Sequence, residues 1–392
     1  MKILISGAGI AGPTLAYWLS HHGFEPTLIE RAPRLRTGGY VIDFWGLGFD
    51  VAERMGLLPE LAREGYTVRE VRFVDREGKK AGGFSSEVAS RLAHGRYLSI
   101  PRGELAAAIH RKVSDRVETI FGDEISEITQ TEDTVQVAFT RGGPREFDLV
   151  IGADGLHSGV RRLVFGEPSR FEKYLGYKVA AFEVAGYRPR DEEVYVLYTQ
   201  VGQQVARFAM REDRTMFLFV FADEDCGDAG EGGLQSPKRL LRERFGASGW
   251  ECSRILDAME ASGDIYFDRV SQIRMSEWTR GRVALVGDAA FCVSLLAGQG
   301  SALGMAGAYI LAGELHRARG DHREAFSRYR QLFAPFIAKK QKAAERFAGS
   351  FAPKSALGLF VRNQVSRILS VPFVAELAMG SDLRDTLDLP AY

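Results

Sequence analysis

Residues 283–300 read VALVGDAAFCVSLLAGQG, and they set a chemical problem. An apolar run of strand type stops at one carboxylate, Asp288, and no further charge follows until Glu314. An ionised carboxylate in an apolar shell is costly unless polar hydrogens meet it. Nothing basic beside Asp288 in sequence supplies them, whereas the hydroxyls of a polyol ligand would. The Gly298-Gln299-Gly300 turn then opens a helix. Its backbone N–H groups would lie close to a flat, electron-accepting ring and stabilise negative charge on it. The plainer reading makes Asp288 an N-cap.

Two further groups carry the same kind of chemistry. Gly7-Ala8-Gly9-Ile10-Ala11-Gly12 is a G-x-G-x-x-G run. It follows an apolar strand at 2–6 and opens a helix that Gly23 stops; a second strand follows at 26–30. In that setting Gly7 permits the tight turn, Gly9 lets the backbone approach a pyrophosphate, and Gly12 lets helix and strand pack closely. The helix start at Ile10 and Ala11 offers free N–H groups and a partial positive charge to phosphates. Glu30, ending the second strand, can accept from ribose hydroxyls. This unit alone does not decide between NAD and FAD. The other group is GADGLHSGVR at 152–161, after a strand expected at 147–151. Asp154 could hold a loop or a ribose, and Arg161 could pair with Asp154 or with a phosphate. The alternative is a structural ion pair capping a helix.

These groups need a frame. The chain has 392 residues, 45% hydrophobic and 26% charged, enough for two or three domains. Lys+Arg and Asp+Glu are both 51, so no basic excess suggests nucleic acid. Cys226, Cys252 and Cys292 form no C-x-x-C pair, which fits a reduced, cytoplasmic protein without a structural metal. The uncharged stretch 289–313 is long enough to span a bilayer, but its glycines, Gln299 and Ser301 argue for a buried turn and packed helix instead. Strands are expected as a pair within 71–97 and as a meander at 117–121, 125–129 and 134–140. Residues 177–222 alternate strongly and predict an antiparallel sheet, with strands at 178–184, 194–200, 204–210 and 216–221. Helices are expected at 236–261 and 301–317, with a capping box of Asp321 and Glu324 starting another.

Together with IPRGELAAAI around Arg102, the three groups occur in an order and at separations that are recognisable. The chain resembles the FAD-dependent class A monooxygenases, the aromatic-hydroxylase family with the p-hydroxybenzoate hydroxylase fold, and is most similar to its tetracycline-inactivating branch. The resemblance implies an α/β fold: a Rossmann-like FAD-binding domain, an antiparallel β-sheet substrate domain and a C-terminal helix. The FAD-binding domain would comprise 1–70, 98–165 and 273–335, the substrate domain 71–97 and 166–272, and the C-terminal helical segment 336–392. It implies that Gly7, Gly9 and Gly12 take the FAD pyrophosphate and Glu30 the adenosine ribose. Arg31 would lie by the adenine and Arg102 near the ribityl–phosphate stretch. Asp154 and Gly155 would serve both FAD and a passing NADPH (or NADH). Asp288 would bind the ribityl–pyrophosphate region, and Gly298, Gln299 and Gly300 would line the isoalloxazine. The sequence departs from the family at Phe291, where His is frequent, at Leu295, where Pro is frequent, and at Ser301-Ala302, which replace an Asn-containing pair.

The implied activity is hydroxylation of a small, aromatic or polyketide-like substrate with NAD(P)H and O2, through a flavin C4a-hydroperoxide. No side chain is assigned as acid or base, and no metal. Phe182, Arg207, Phe208, Met210, Phe217 and Phe219 are candidate liners of a substrate cavity, with plain core packing as the competing reading. The loop at 38–43 is expected to approach the flavin edge, which makes Asp43 a site residue. His157 reads as an exposed polar side chain. No nucleic acid or membrane span is expected, and the protein is expected to be a monomer or weak homodimer. Competing functions on this fold are a flavin-dependent reductase or saturase, a halogenase and a non-enzymatic flavin-binding module. The W-x-W-x-I-P stretch of the halogenases is absent.

Overall fold

The computed structural model describes residues 1–35, 40–85, 95–223, 236–263, 265–368 and 385–392. Its first large sheet runs in the order Thr279–Arg280, Val283–Leu285, Leu149–Gly152, Lys2–Ser6, Glu25–Glu30, Glu118–Phe121. All pairings are parallel except that of the Thr279–Arg280 edge. Ile3, Leu4 and Ile5 are all fully buried, as a strand covered on both faces requires, so the run is continuously apolar rather than alternating. Ser6 stands opposite Gly152, and Gly152 opposite Leu285. The three strands therefore end level. Gly7, Asp154 and Asp288 all leave the sheet at one edge, outside the carboxyl ends where open parallel sheets bind ligands.

The second large sheet has seven strands, ordered Tyr266–Ile273, Glu172–Ala185, Arg214–Ala222, Gln203–Ala209, Val194–Gln200, Glu70–Val74, Lys80–Ser85. It is antiparallel as expected, with one exception: Val194–Gln200 and Glu70–Val74 pair in parallel. Helices Pro237–Phe245 and Cys252–Glu260 cover its outer face. They replace the single helical stretch expected at 236–261; Gly246 interrupts it, and Trp250 adopts a left-handed φ of 56°. The strand expected at 147–151 is also two. Arg145–Phe147 closes a separate three-stranded ribbon, and Leu149–Gly152 joins the parallel sheet.

A two-stranded ribbon, Val41–Trp45 against Tyr97–Pro101, lies between the large sheets. Period 2 divides its faces. Ile42, Phe44 and Ile100 belong to the core of the parallel sheet, whereas Val41 packs with the inner face of the seven-stranded sheet.

Helix Gly300–Arg317 is buried along almost its whole length. Its small residues allow close neighbours: a Cβ on Gly304 would meet Ala11 Cβ at 3.5 Å, and one on Gly307 would meet Phe291 at 2.9 Å. Helix His322–Phe351 follows, capped by Asp321, whose Oδ1 accepts from the Arg323 and Glu324 amides. After helix Ala356–Ile368, the last described residues pack against helices Leu47–Arg54 and Gly300–Arg317. Asp385 accepts from the Leu47 amide at 2.8 Å, and the Tyr392 hydroxyl donates to Glu314 at 2.6 Å.

Candidate active site

The glycine loop has no room for side chains. Gly7 has φ +107°, and a Cβ there would lie 2.5 Å from the Ala153 carbonyl oxygen. A Cβ on Gly12 would lie 1.9 Å from the Gly7 carbonyl oxygen. Gly9 differs: its nearest neighbour is an Arg102 guanidinium nitrogen, 3.7 Å from a Cβ position. Ile10 and Ala11 are buried at the start of helix Ala11–His21. Glu30 accepts from the Ala8 amide at 2.9 Å with one oxygen and from the Ala32 amide at 2.9 Å with the other. It braces the loop and keeps lone pairs for hydroxyl donors. Arg31 is exposed beyond the strand end.

Asp154 and Arg161 form no ion pair with each other among the described residues; each has other partners. Asp154 accepts from the Ser158 hydroxyl and from the Val160 amide, capping helix Gly159–Phe165. Burial holds its carboxyl above the usual range. Arg161 is 1% exposed. It donates to the carbonyls of Ala289 (3.0 Å) and Leu156 (2.6 Å). Its two terminal nitrogens thus tie the 152–161 loop to the turn after Asp288, while its Nε has no partner among the described residues. Gly155 does face open space.

Asp288 follows Gly287 and opens the four-residue helix Asp288–Phe291. Its Oδ1 points toward Gly300, 3.5 Å from where a Cβ would stand. Burial raises its carboxyl above the usual range, and the positive charge of Arg102 is the chief influence against that rise. The fold thus supplies the cation missing from the local sequence. The nearby Cys292 thiol donates to the Ser271 carbonyl. Ser294 accepts from the Leu296 amide, and Gly298 takes the left-handed conformation at φ +65° with open space around it. Gln299 then begins helix Gly300–Arg317.

Tyr40, Tyr266 and Asp268 close this end of the cleft. The two rings lie 5.6 Å apart, and the Tyr266 hydroxyl donates to Asp268 at 3.3 Å. Burial pushes the Tyr40 phenol up to about 12, against the effect of Arg102. Asp268 also pairs with His157 at 3.1 Å, so His157 is exposed but partnered, and its imidazole is raised by that contact. Asp288, Tyr40 and Tyr266 are enclosed enough for desolvation to dominate their ionisation, yet each keeps accessible surface.

The candidate liners divide by strand parity. Phe182, Phe217 and Phe219 pack against Leu241, Phe245 and Ile255 of the outer helices. Arg207 shares the outer face, forming ion pairs with Asp191 and Glu251 and stacking over Trp250. These four expectations are corrected: the residues face away from the cleft. Phe208 and Met210 lie on the inner face, with Val41, Val68 and Met216. Asp43 faces the same side, accepting from Tyr97 (2.7 Å) and Ser99 (2.6 Å). Gly38 and Gly39 lie outside the described residues. Phe291, the departure from the family pattern, packs in the core against Trp278 and Phe333. The sequence reading missed Tyr97, Ser99, Tyr195, Leu218, Tyr266 and Asp268. Alternation marks the strands of Tyr195 and Leu218 but does not say which face turns inward, and the strands Tyr97–Pro101 and Tyr266–Ile273 were not among those expected.

This donor and acceptor set fits a dinucleotide with a polyol chain. The loop at Gly9 admits a pyrophosphate. The Arg102 guanidinium lies over it without a protein hydrogen-bond acceptor among the described residues. Asp288 is an acceptor that lacks protein N–H and O–H donors among the same residues.

The comparisons with known proteins agree. Residues 1–331 match the family model described as FAD binding domain. A flavin-dependent monooxygenase of an unknown prokaryotic organism is 37% identical over 378 residues, covering 93% of this chain and 94% of that protein. One from Legionella longbeachae is 33% identical over 401 residues, covering 100% and 98%. The crystal structure of the tetracycline destructase Tet(51) superposes with a TM-score of 0.83 at 34% identity, covering 100% of this chain and 99% of that one. The chain belongs to this FAD-binding family of class A flavin-dependent monooxygenases, and it is an FAD-dependent oxidoreductase.

Proposed function

We propose that the protein hydroxylates a small aromatic or polyketide-like molecule with NAD(P)H and O2. One observation carries the reading: Tyr40 stands near Arg102 and Asp288 and also packs against the apolar cluster of Val41, Phe208, Met210 and Met216, which joins the cofactor end to the inner face of the second sheet. Bound FAD would accept hydride from the nicotinamide and activate O2, the work that cofactors do for proteins. The chain's own residues bind and orient. Gly7, Gly9 and Gly12 cradle the pyrophosphate beside Arg102, Glu30 takes the ribose, and Asp288 accepts from the polyol. The first N–H groups of helix Gly300–Arg317 favour negative charge on the ring placed before them. The apolar face keeps water from the reacting atoms. Residues 1–70, 98–165 and 273–335 would hold the cofactor, 71–97 and 166–272 the substrate, with 336–392 bracing the two.

The test follows NADPH and oxygen consumption by the purified yellow protein over a panel of phenols. Tetracyclines belong in the panel because Tet(51) is a tetracycline destructase. Oxygen uptake stimulated by a substrate is expected. NADPH oxidation without oxygen uptake would replace the hydroxylase reading with a reductase.

A further inference from the structure

The ribbon between the two large sheets turns one polar group toward the apolar cluster of Val41, Phe208, Met210 and Met216. Asp43 and Ser99 stand opposite each other in the ribbon, and Tyr97 follows two residues before Ser99 on the same face. The Tyr97 and Ser99 hydroxyls both donate to one oxygen of Asp43, Oδ1, and lie 3.3 Å from each other. Oδ2 takes no donor among the described residues. Enclosure raises the carboxyl above the usual range, and the side chain keeps part of its surface accessible. The Tyr195 phenol lies beside Ser99, and its ring is tilted against Phe208 with centroids 4.5 Å apart. A buried carboxylate with one oxygen held and the other open is strongly oriented and incompletely satisfied.

We propose that Asp43 is the polar anchor of the substrate cleft: with Oδ1 fixed by Tyr97 and Ser99, Oδ2 accepts the O–H of a hydroxylated fused-ring ligand. This deepens the hydroxylase reading, because it rests on the inner face being the substrate side. Oδ2 is an acceptor, so the ligand group that meets it is a donor, and a hydroxyl carried on a ring suits the apolar neighbours Val41, Phe208 and Met216. The size follows from the strand. Tyr40, at the cofactor end, precedes Asp43 by three residues, about 10 Å of extended chain. A ligand of two or three fused rings spans that length, anchored at Asp43 and reaching the Tyr40–Tyr266 end. Tyr97 and Ser99 are positioning residues.

The experiment is equilibrium dialysis of the FAD-loaded protein against 2-naphthol and 2-methoxynaphthalene, which share a ring system and differ in the O–H. The wild type should prefer the naphthol by about tenfold or more, the worth of one hydrogen bond to a charged acceptor. Asp43→Asn keeps an oxygen for Tyr97 and Ser99 and puts an N–H2 where Oδ2 was, so the ratio should fall to about one. Tyr97→Phe should weaken naphthol binding several-fold and leave the ether unchanged, whereas general loosening would weaken both alike. Equal affinities in the wild type, binding of neither ligand, or a preference that survives in Asp43→Asn overturns the proposal. The assay uses neither nicotinamide nor oxygen, so its outcome is separate from whether the protein hydroxylates.

Discussion

Asp288 yields a prediction in which stability and cofactor affinity move in opposite directions. In the absence of FAD its carboxylate sits in an enclosed site, opposed chiefly by Arg102. The folded pKa is raised. Whatever this group contributes to apoprotein stability is therefore present below the ordinary carboxylate pKa of about 4, and is lost as pH rises through the elevated folded value. At neutral pH the ionised form opposes folding. Asp288→Asn removes that charge and keeps the shape, so the apoprotein's thermal midpoint at pH 7 should stay level or rise. Cofactor binding should do the reverse. If a polyol donates two hydrogen bonds to the carboxylate, each worth about 1.5 kcal/mol, their loss weakens binding by about a hundredfold. Asp288→Ala should show that full loss, and Asp288→Asn, which keeps one acceptor, about tenfold. The assay pairs calorimetry of the apoprotein with titration of FAD, read by quenching of flavin fluorescence. Unchanged FAD affinity in Asp288→Ala would refute the placement of the acid. An apoprotein clearly destabilised by Asp288→Asn would refute the electrostatic account.

Other consequences are simpler to measure. Gly12→Ala should abolish flavin retention and lower the yield of folded protein, because its Cβ would stand 1.9 Å from a backbone oxygen that cannot swing aside; a yellow, stable variant would contradict the loop geometry. Arg207→Met should destabilise the fold by about 1–2 kcal/mol in urea unfolding, since Asp191 and Glu251 each lose one cation but keep Arg72 and Arg254, while the FAD dissociation constant stays unchanged. A selective loss of substrate binding in that variant would return Arg207 to the cleft. Burial raises the Cys252 thiol to about 12 and the Cys292 thiol as well. Peptide mapping after alkylation of the native protein at pH 8 should find both unmodified, and rapid labelling of either would show that the site opens.

The sequence by itself determined the dinucleotide unit and the meeting of its motifs. Gly7, Asp154 and Asp288 each follow a short apolar strand, and parallel strands can only bring such turns to one edge. The isolated acid in an uncharged stretch likewise pointed to a ligand, since a carboxylate needs donors that its neighbours did not offer. Tertiary structure alone decided three things. It chose Arg102 as the counter-charge of Asp288, because Coulomb interaction depends on distance in space and not along the chain. It turned Phe182, Arg207, Phe217 and Phe219 outward and Phe208 and Met210 inward, because a strand's alternation defines two faces but not which of them another layer will cover. It also committed Arg161 to two carbonyls and closed Tyr97 and Ser99 on one oxygen of Asp43, contacts that exist only once the ribbon has paired and its faces have been assigned.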